Sequence, residues 1–299
     1  MSAISPEVLR QVKRIELRTR GLVNSRFAGE YHSVFKGQGM EFSEVREYQP
    51  GDEVRTVDWN VSARMRRLFV KRYVEERELT VLLIVDCSGS SRFGTGERDK
   101  QTMAAELAAV LALSATRNND RVGLLLCSDR IEHVVPPRKG RRHALRLVRD
   151  VLAWPPSSRG TNLALALEWS ARALTHHAIV FVISDFVTPD IERPLKLLSQ
   201  RHDLVAVVLD DPGERTLPDL GVARLVDAES GRLVEIDTSS HAVRVRYERA
   251  ISAERSARTQ LLRRLAIDEV LVRTEKGYAE PLLRFFNTRE TRRRSPGRR

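Results

Sequence analysis

Three short segments carry oxygen-bearing side chains in a pattern that can do chemistry: Asp86-Cys87-Ser88-Gly89-Ser90, Gly160-Thr161-Asn162 and Ser184-Asp185-Phe186. Asp86 and Asp185 each follow a run of apolar β-type residues, and Thr161 precedes a helical pattern. In a doubly wound sheet such positions lie beyond the carboxyl ends of the strands, where diverging loops form a binding crevice. Two carboxylates and three hydroxyls there make a hard oxygen set, suited to Mg2+ or Mn2+ and poor for zinc. If Ser88, Ser90 and Thr161 bind directly through neutral hydroxyls, little of the ion's charge is cancelled. Asp86 and Asp185 then act through bound waters or by accepting hydrogen bonds from the serines. An ion held that way stays electrophilic and keeps an open position, which an acidic carboxylate from a partner protein can fill. Each segment has a plainer reading as well. Asp and Ser after a strand often start a turn, and Thr161 equally suits the N-cap of the helix that follows.

The elements that must position these residues alternate between strand and helix. Residues 79–85, 122–126, 179–183 and 204–209 are short apolar runs expected of strands buried on both faces, with 131–135 as an edge partner. Residues 98–116, 141–152, 162–174 and 191–200 have helical spacing. This alternation predicts an α/β fold, a doubly wound and mainly parallel sheet with helices on both faces. Beyond Asp210 come a hairpin over 224–237 around Glu229-Ser230-Gly231, a charged helix over 242–265, a strand over 269–273 and a helix over 280–287. At the front, Ser5-Pro6-Glu7 starts a helix bearing Val8, Val12 and Ile15, which Gly21 can end. From residue 24 to 78, Gly29, Gly37, Gly39 and Pro50-Gly51-Asp52 punctuate short extended pieces. The expected organisation is an N-terminal helix (1–22), a small β-rich segment (23–77), the α/β domain with C-terminal additions (78–288) and a basic disordered tail (289–299).

Composition bounds the function. With 299 residues, 41% hydrophobic and 30% charged, the chain is globular rather than disordered. Its apolar runs are too short to cross a bilayer, and the first residues lack a signal-peptide pattern. Cys87 and Cys127 cannot build a disulfide framework, so a soluble cytoplasmic protein is expected. The formal net charge is +11, and residues 289–299 hold six arginines against Glu290. That end and the clusters at residues 64–72 and 138–149 read as solvated faces, or secondly as a match for an acidic partner. No aromatic platform or helix-turn-helix accompanies them, so no nucleic-acid partner is expected. The seven histidines show no metal-ligand spacing, and there is neither a Walker A loop nor a G-x-S-x-G elbow. Any ATP hydrolysis must come from a partner.

Two sets of residues resemble known families. Asp86-x-Ser88-x-Ser90 with Thr161 and Asp185 resembles the metal-ion-dependent adhesion site of von Willebrand factor A domains. Upstream, Gly39-Met40-Glu41-Phe42, Arg46-Glu47-Tyr48, Pro50-Gly51-Asp52, Arg55, Asp58-Trp59-Asn60, Ala63-Arg64 and Leu68 resemble the signature of the bacterial "domain of unknown function 58" family, and the likeness runs from about residue 29 to 286. The resemblance implies a von Willebrand factor A-like domain whose ion is held by Asp86, Ser88, Ser90, Thr161 and Asp185. It also implies work with a MoxR-type AAA+ ATPase in chaperone-like assembly or maturation of an unidentified client protein. Many relatives have N-terminal membrane helices; this sequence shows none.

Arg55, Asp58, Trp59 and Arg64 admit two readings: an ion-pair network pinning their segment to the main domain, with Trp59 as its apolar anchor, or a partner-docking surface beside the metal. A non-enzymatic interaction module is the leading expectation. The alternative is a haloacid dehalogenase-like, Mg-dependent phosphoryl hydrolase, with Asp86 as nucleophile, Thr161 and Lys196 on phosphate and Asp210-Asp211 on the ion. That chemistry needs a second carboxylate two residues after the nucleophile, where this chain has Ser88.

Overall fold

The computed structural model describes residues 6–35, 40–75, 78–96 and 98–294. The chain divides into two units, Met1–Val34 with Thr80–Arg299, and Phe35–Leu79.

The leading helix does not stop at Gly21. α1 (Pro6–Leu22) passes through one π-helical turn (Val23–Phe27) into α2 (Ala28–Phe35). Extended structure therefore begins at Met40 and not at residue 23. Val23, Phe27, Tyr31 and Val34 recur at helical spacing and are all buried, and that apolar stripe overrides the turn signal of Gly29. Ser5, Gly37 and Gly39 lie outside the described residues.

In the smaller unit, β1 (Met40–Glu47) and α3 (Trp59–Met65) precede β2 (Phe69–Glu75), and the two strands pair antiparallel. Asp58 caps α3 by accepting hydrogen bonds from the amides of Asn60 (3.0 Å) and Val61 (3.1 Å), with Lys71 Nζ at 3.6 Å. Arg46 grips Asp52 through both guanidinium nitrogens, at 2.8 and 2.6 Å. This bidentate contact, with an amide bond from Gln49, holds the Asp52 carboxyl below its usual range.

The larger unit runs β3 (Thr80–Asp86), α4 (Lys100–Arg117), β4 (Arg121–Cys127), β5 (Ile131–Arg138), α5 (Arg141–Ala153), α6 (Leu163–Ala173), β6 (Ile179–Ser184), α7 (Glu192–Ser199), β7 (Asp203–Asp210), β8 (Val222–Val226), β9 (Leu233–Asp237), α8 (His241–Arg264), β10 (Asp268–Arg273) and α9 (Ala279–Arg294). Six strands form one sheet in the order β10-β7-β6-β3-β4-β5, parallel except for the antiparallel β4–β5 edge. This is the doubly wound arrangement expected, and its direction of winding reverses between β3 and β6. β8 and β9 form a separate hairpin.

Helix α4 is buried along nearly its whole circumference, from Met103 to Ala115, because β3 lies on one side and α1 and α5 cover the other. Hence it is rich in Ala and Leu all round instead of along one stripe. The tail also departs from expectation, since α9 continues to Arg294. Arg289 is not solvated: it bonds Asp203 at 2.8 and 2.5 Å and Asp268 at 2.6 Å, which ties the end of α9 to the starts of β7 and β10. Residues 295–299 lie outside the described residues. Phe286 of α9 meets Phe27 and Tyr31 edge-on, at centroid distances of 6.1 and 6.3 Å.

Candidate functional site

The reversal between β3 and β6 opens a crevice at the carboxyl ends of two neighbouring strands, the position where this topology places ligands. β3 delivers Asp86 and β6 delivers Ser184 and Asp185. Asp86 is buried. One of its oxygens accepts the Ser88 amide (2.9 Å) and the other the Ser184 hydroxyl (2.8 Å). Its carboxyl is pushed up to about 6, first by burial and then by the charge of Asp185. The hydrogen bonds to Asp86 come from neutral donors, so no cation offsets its charge there.

After Asp86 the chain turns through Ser88 into a 3-10 turn (Gly89–Arg92). Ser88 and Ser90 hydroxyls lie 3.1 Å apart. Adjacent ligands of an octahedral ion with oxygens at 2.0–2.1 Å are separated by about 3 Å, so this pair has the spacing of one edge of such a shell. The Ser91 hydroxyl closes the turn on the Ser88 carbonyl at 2.7 Å. Beside it, the Gly89 amide donates to the Arg159 carbonyl (2.7 Å), and the Asn162 amide to the Ser128 carbonyl (2.8 Å). These bonds stitch the 159–162 loop to the ends of β3 and β4. Asn162, and not Thr161, caps α6, accepting from the Leu165 amide at 3.2 Å. The Thr161 hydroxyl is thereby left for another task, and it donates to Glu229 Oε1 at 2.6 Å.

On the β6 side, Phe186 is held at φ 60°, a conformation unusual for a bulky residue. Its amide bonds Ser184 Oγ (3.0 Å) and the Val187 amide bonds Asp185 Oδ1 (3.1 Å), so two side chains fix this strained turn. Asp185 Oδ2 accepts from Lys100 Nζ at 3.0 Å, and Lys100 also pairs with Glu214. Lys100 is 1% exposed. Burial lowers its proton affinity, but Asp185 and Glu214 outweigh that and the ammonium is stabilised overall. Burial also pushes the Cys87 thiol up to about 12, which makes it a poor nucleophile.

Ser90, Asp185, Phe186, Glu214, Glu229 and Arg258 line a cleft of about 1010 Å3. Of the five residues singled out for an ion, Asp86, Ser88 and Ser90 are linked by hydrogen bonds and Asp185 lines the same cleft as Ser90, while Thr161 lies on the loop stitched to Gly89. Among the described residues no three His, Cys, Asp or Glu side chains form a metal-holding cage. The donor set instead fits a hard cation held through hydroxyls: a serine pair at the required spacing, with a buried Asp86 that lacks a counter-charge of its own. Ser184, Lys100, Glu214 and Glu229 had no role assigned from sequence.

In the smaller unit, Arg55, Asp58, Trp59 and Arg64 admitted two readings, an ion-pair network or a docking surface. There Asp58 is engaged as the α3 cap, and Arg55 and Arg64 are exposed. Trp59 is 64% exposed, so the smaller unit does not bury it by itself. Of the residues named for a hydrolase, Asp86 and Thr161 lie at the candidate ion site, and the other three lie as follows. Asp210 pairs with Arg215 and Arg255, Asp211 bonds Thr95 and Thr274 (both 2.6 Å), and Lys196 is exposed on α7.

A family model described as "Protein of unknown function DUF58" matches residues 44–257, which spans most of both units. The chain belongs to the DUF58 family. This DUF58 chain is 31% identical over 287 residues to an uncharacterized protein of Mycobacterium tuberculosis, covering 95% of its own length and 90% of that relative. Similar solved structures include BatB from Bacteroides thetaiotaomicron, at 13% identity and TM-score 0.49, covering 71% of this chain and 99% of that one. The VWA domain of SpRpn10 is another, at 14% identity and TM-score 0.34, covering 44% and 75%. Among the described residues of the DUF58 chain, no helix is long and apolar enough to cross a membrane.

Proposed function

We propose that this DUF58 protein is a metal-dependent protein-interaction module. Mg2+ or Mn2+ would be held by Ser88, Ser90 and Thr161, with Asp86 and Asp185 behind them. The observation that carries the reading is the 3.1 Å serine pair backed by a buried carboxylate whose hydrogen bonds are all from neutral groups. A bound ion supplies a Lewis-acidic position open to an acidic side chain of a partner. The chain's own part is to orient: Ser184 and the Ser88 amide fix Asp86, the Ser91 hydroxyl fixes the serine turn, and Lys100 fixes Asp185. Family membership supports a partnership with a MoxR-type AAA+ ATPase acting on a client protein, since the resemblance links such chains to that ATPase.

Calorimetric titration tests the ion site. Wild type should bind Mg2+, and Asp86→Ala should bind it roughly 10- to 100-fold more weakly with the melting transition retained. Equal Mg2+ binding by the two proteins overturns the site. For the partnership, an AAA+ ATPase should co-purify with the tagged chain from its native cell in Mg2+ and be lost in chelator. Recovery that ignores the chelator removes the metal from the contact.

A further inference from the structure

The tip of the β8–β9 hairpin is built to a definite shape. Asp227 Oδ1 accepts from the Ser230 amide (2.6 Å), the Ser230 hydroxyl (2.7 Å) and the Glu229 amide (3.2 Å). That turn aims Glu229 at Thr161, 68 residues away in sequence, and their side chains meet at 2.6 Å. Next to it the Ala228 carbonyl oxygen lies 2.1 Å from where a Cβ on Gly89 would stand, so only glycine lets the tip come this close to the serine turn. The tip therefore rests on two of the loops that make the candidate ion site.

Little else seats the hairpin. Val222, Val226 and Leu233 are each more than 60% exposed, and a two-stranded ribbon alone is marginally stable. Glu229 is half-buried, and among the described residues no basic side chain pairs with it and its second oxygen accepts no hydrogen bond. An uncompensated carboxylate in partial burial is costly unless a cation answers it.

We infer that Glu229 is an internal ligand of the cation site: its carboxylate takes the open position that a partner's acidic side chain would otherwise enter, and the hairpin must lift before the partner binds. This inference rests on the metal reading above. A carboxylate is a stronger donor to a hard divalent ion than the water that would replace it. The same residue thus strengthens ion binding and masks the ion from other carboxylates.

Full-length protein stripped with chelator and titrated with Mn2+ tests this, read by calorimetry and by water-proton relaxation, which reports water bound to Mn2+. Acetate serves as the free carboxylate probe. Glu229→Gln should bind Mn2+ roughly tenfold more weakly and show higher relaxivity, and acetate should lower that relaxivity while leaving wild type unchanged. Thermal melting confirms that the variant is folded, and Glu229→Asp gives a second variant that keeps the charge and should fall between the two. If wild type and Glu229→Gln bind Mn2+ with equal affinity and equal relaxivity, the internal-ligand role is overturned while the ion site stands. If wild type binds no Mn2+, the ion site itself falls and this role falls with it.

Discussion

Lys100 is a buried charge with two acidic partners, and replacing it with methionine isolates what it does. Its ammonium is 1% exposed, lies 3.0 Å from Asp185 Oδ2 and also pairs with Glu214. At an effective permittivity near 20, one such contact at 3 Å is worth about 5 kcal/mol of attraction, set against a desolvation cost of several kcal/mol for each buried ion. The pair is therefore close to balanced as built, but removing the cation alone is not. Lys100→Met leaves Asp185 and Glu214 close together without their counter-charge, and the expected loss is about 3–5 kcal/mol. With a urea slope near 3 kcal/mol per M, the unfolding midpoint should drop by roughly 1–1.7 M in chelator-treated protein at pH 7. Under the metal reading, Mg2+ should recover part of that loss in the variant and shift the wild type less, because a divalent ion then supplies the missing positive charge. A midpoint change equivalent to less than about 1 kcal/mol would refute the premise that Lys100 neutralises buried carboxylates.

Two further outcomes follow from particular contacts. Gly89→Ala places a Cβ 2.1 Å from the Ala228 oxygen and 3.2 Å from that of Arg159, both backbone atoms, so the hairpin tip must move. The cost should be about 1–3 kcal/mol, with faster amide exchange across residues 222–237; an unchanged exchange pattern would show the tip is not seated there. His202 is buried with neither ring nitrogen hydrogen-bonded among the described residues, and its pKa falls to about 4, chiefly through burial and then the charges of His177 and Arg201. Since the folded state resists protonation, His202 costs no stability above the unfolded pKa of about 6.5, and stability is lost as pH drops toward 4, by up to roughly 3 kcal/mol. His202→Leu should flatten the change in denaturation midpoint between pH 7 and 4.5, and equal slopes in the two proteins would count against it.

The sheet was legible because β3, β6 and β7 are buried on both faces and so read as unbroken apolar runs. The loops after β3 and β6, which carry Asp86, Ser88, Ser90 and Asp185, could be located for the same reason, since they begin where the apolar runs end. What escaped depends on contacts between distant residues. Lys100 looks like an ordinary first-turn lysine until Asp185, 85 positions away, is placed beside it. Glu229 looked like a hairpin tip residue, and its partner Thr161 was equally suited to a cap that Asn162 supplies. The helical 23–35 stretch was obscured by Gly21 and Gly29, whose turn signals gave way to buried Phe27 and Tyr31. Arg289 looked like part of a solvated tail because Asp203 and Asp268, which order it, lie far back in the chain.

The aromatic contact between Phe286 and the pair Phe27 and Tyr31 sets a timetable for the newborn polypeptide. Tyr31 leaves the ribosome about 255 residues before Phe286, the ring that completes its packing. At roughly 5–20 residues per second, the wait is on the order of 10–50 s. For that interval the rings of the first helical segment lack their final neighbour, so nascent chains halted before Phe286 should be open to holdase binding at residues 23–34 that the finished protein no longer offers.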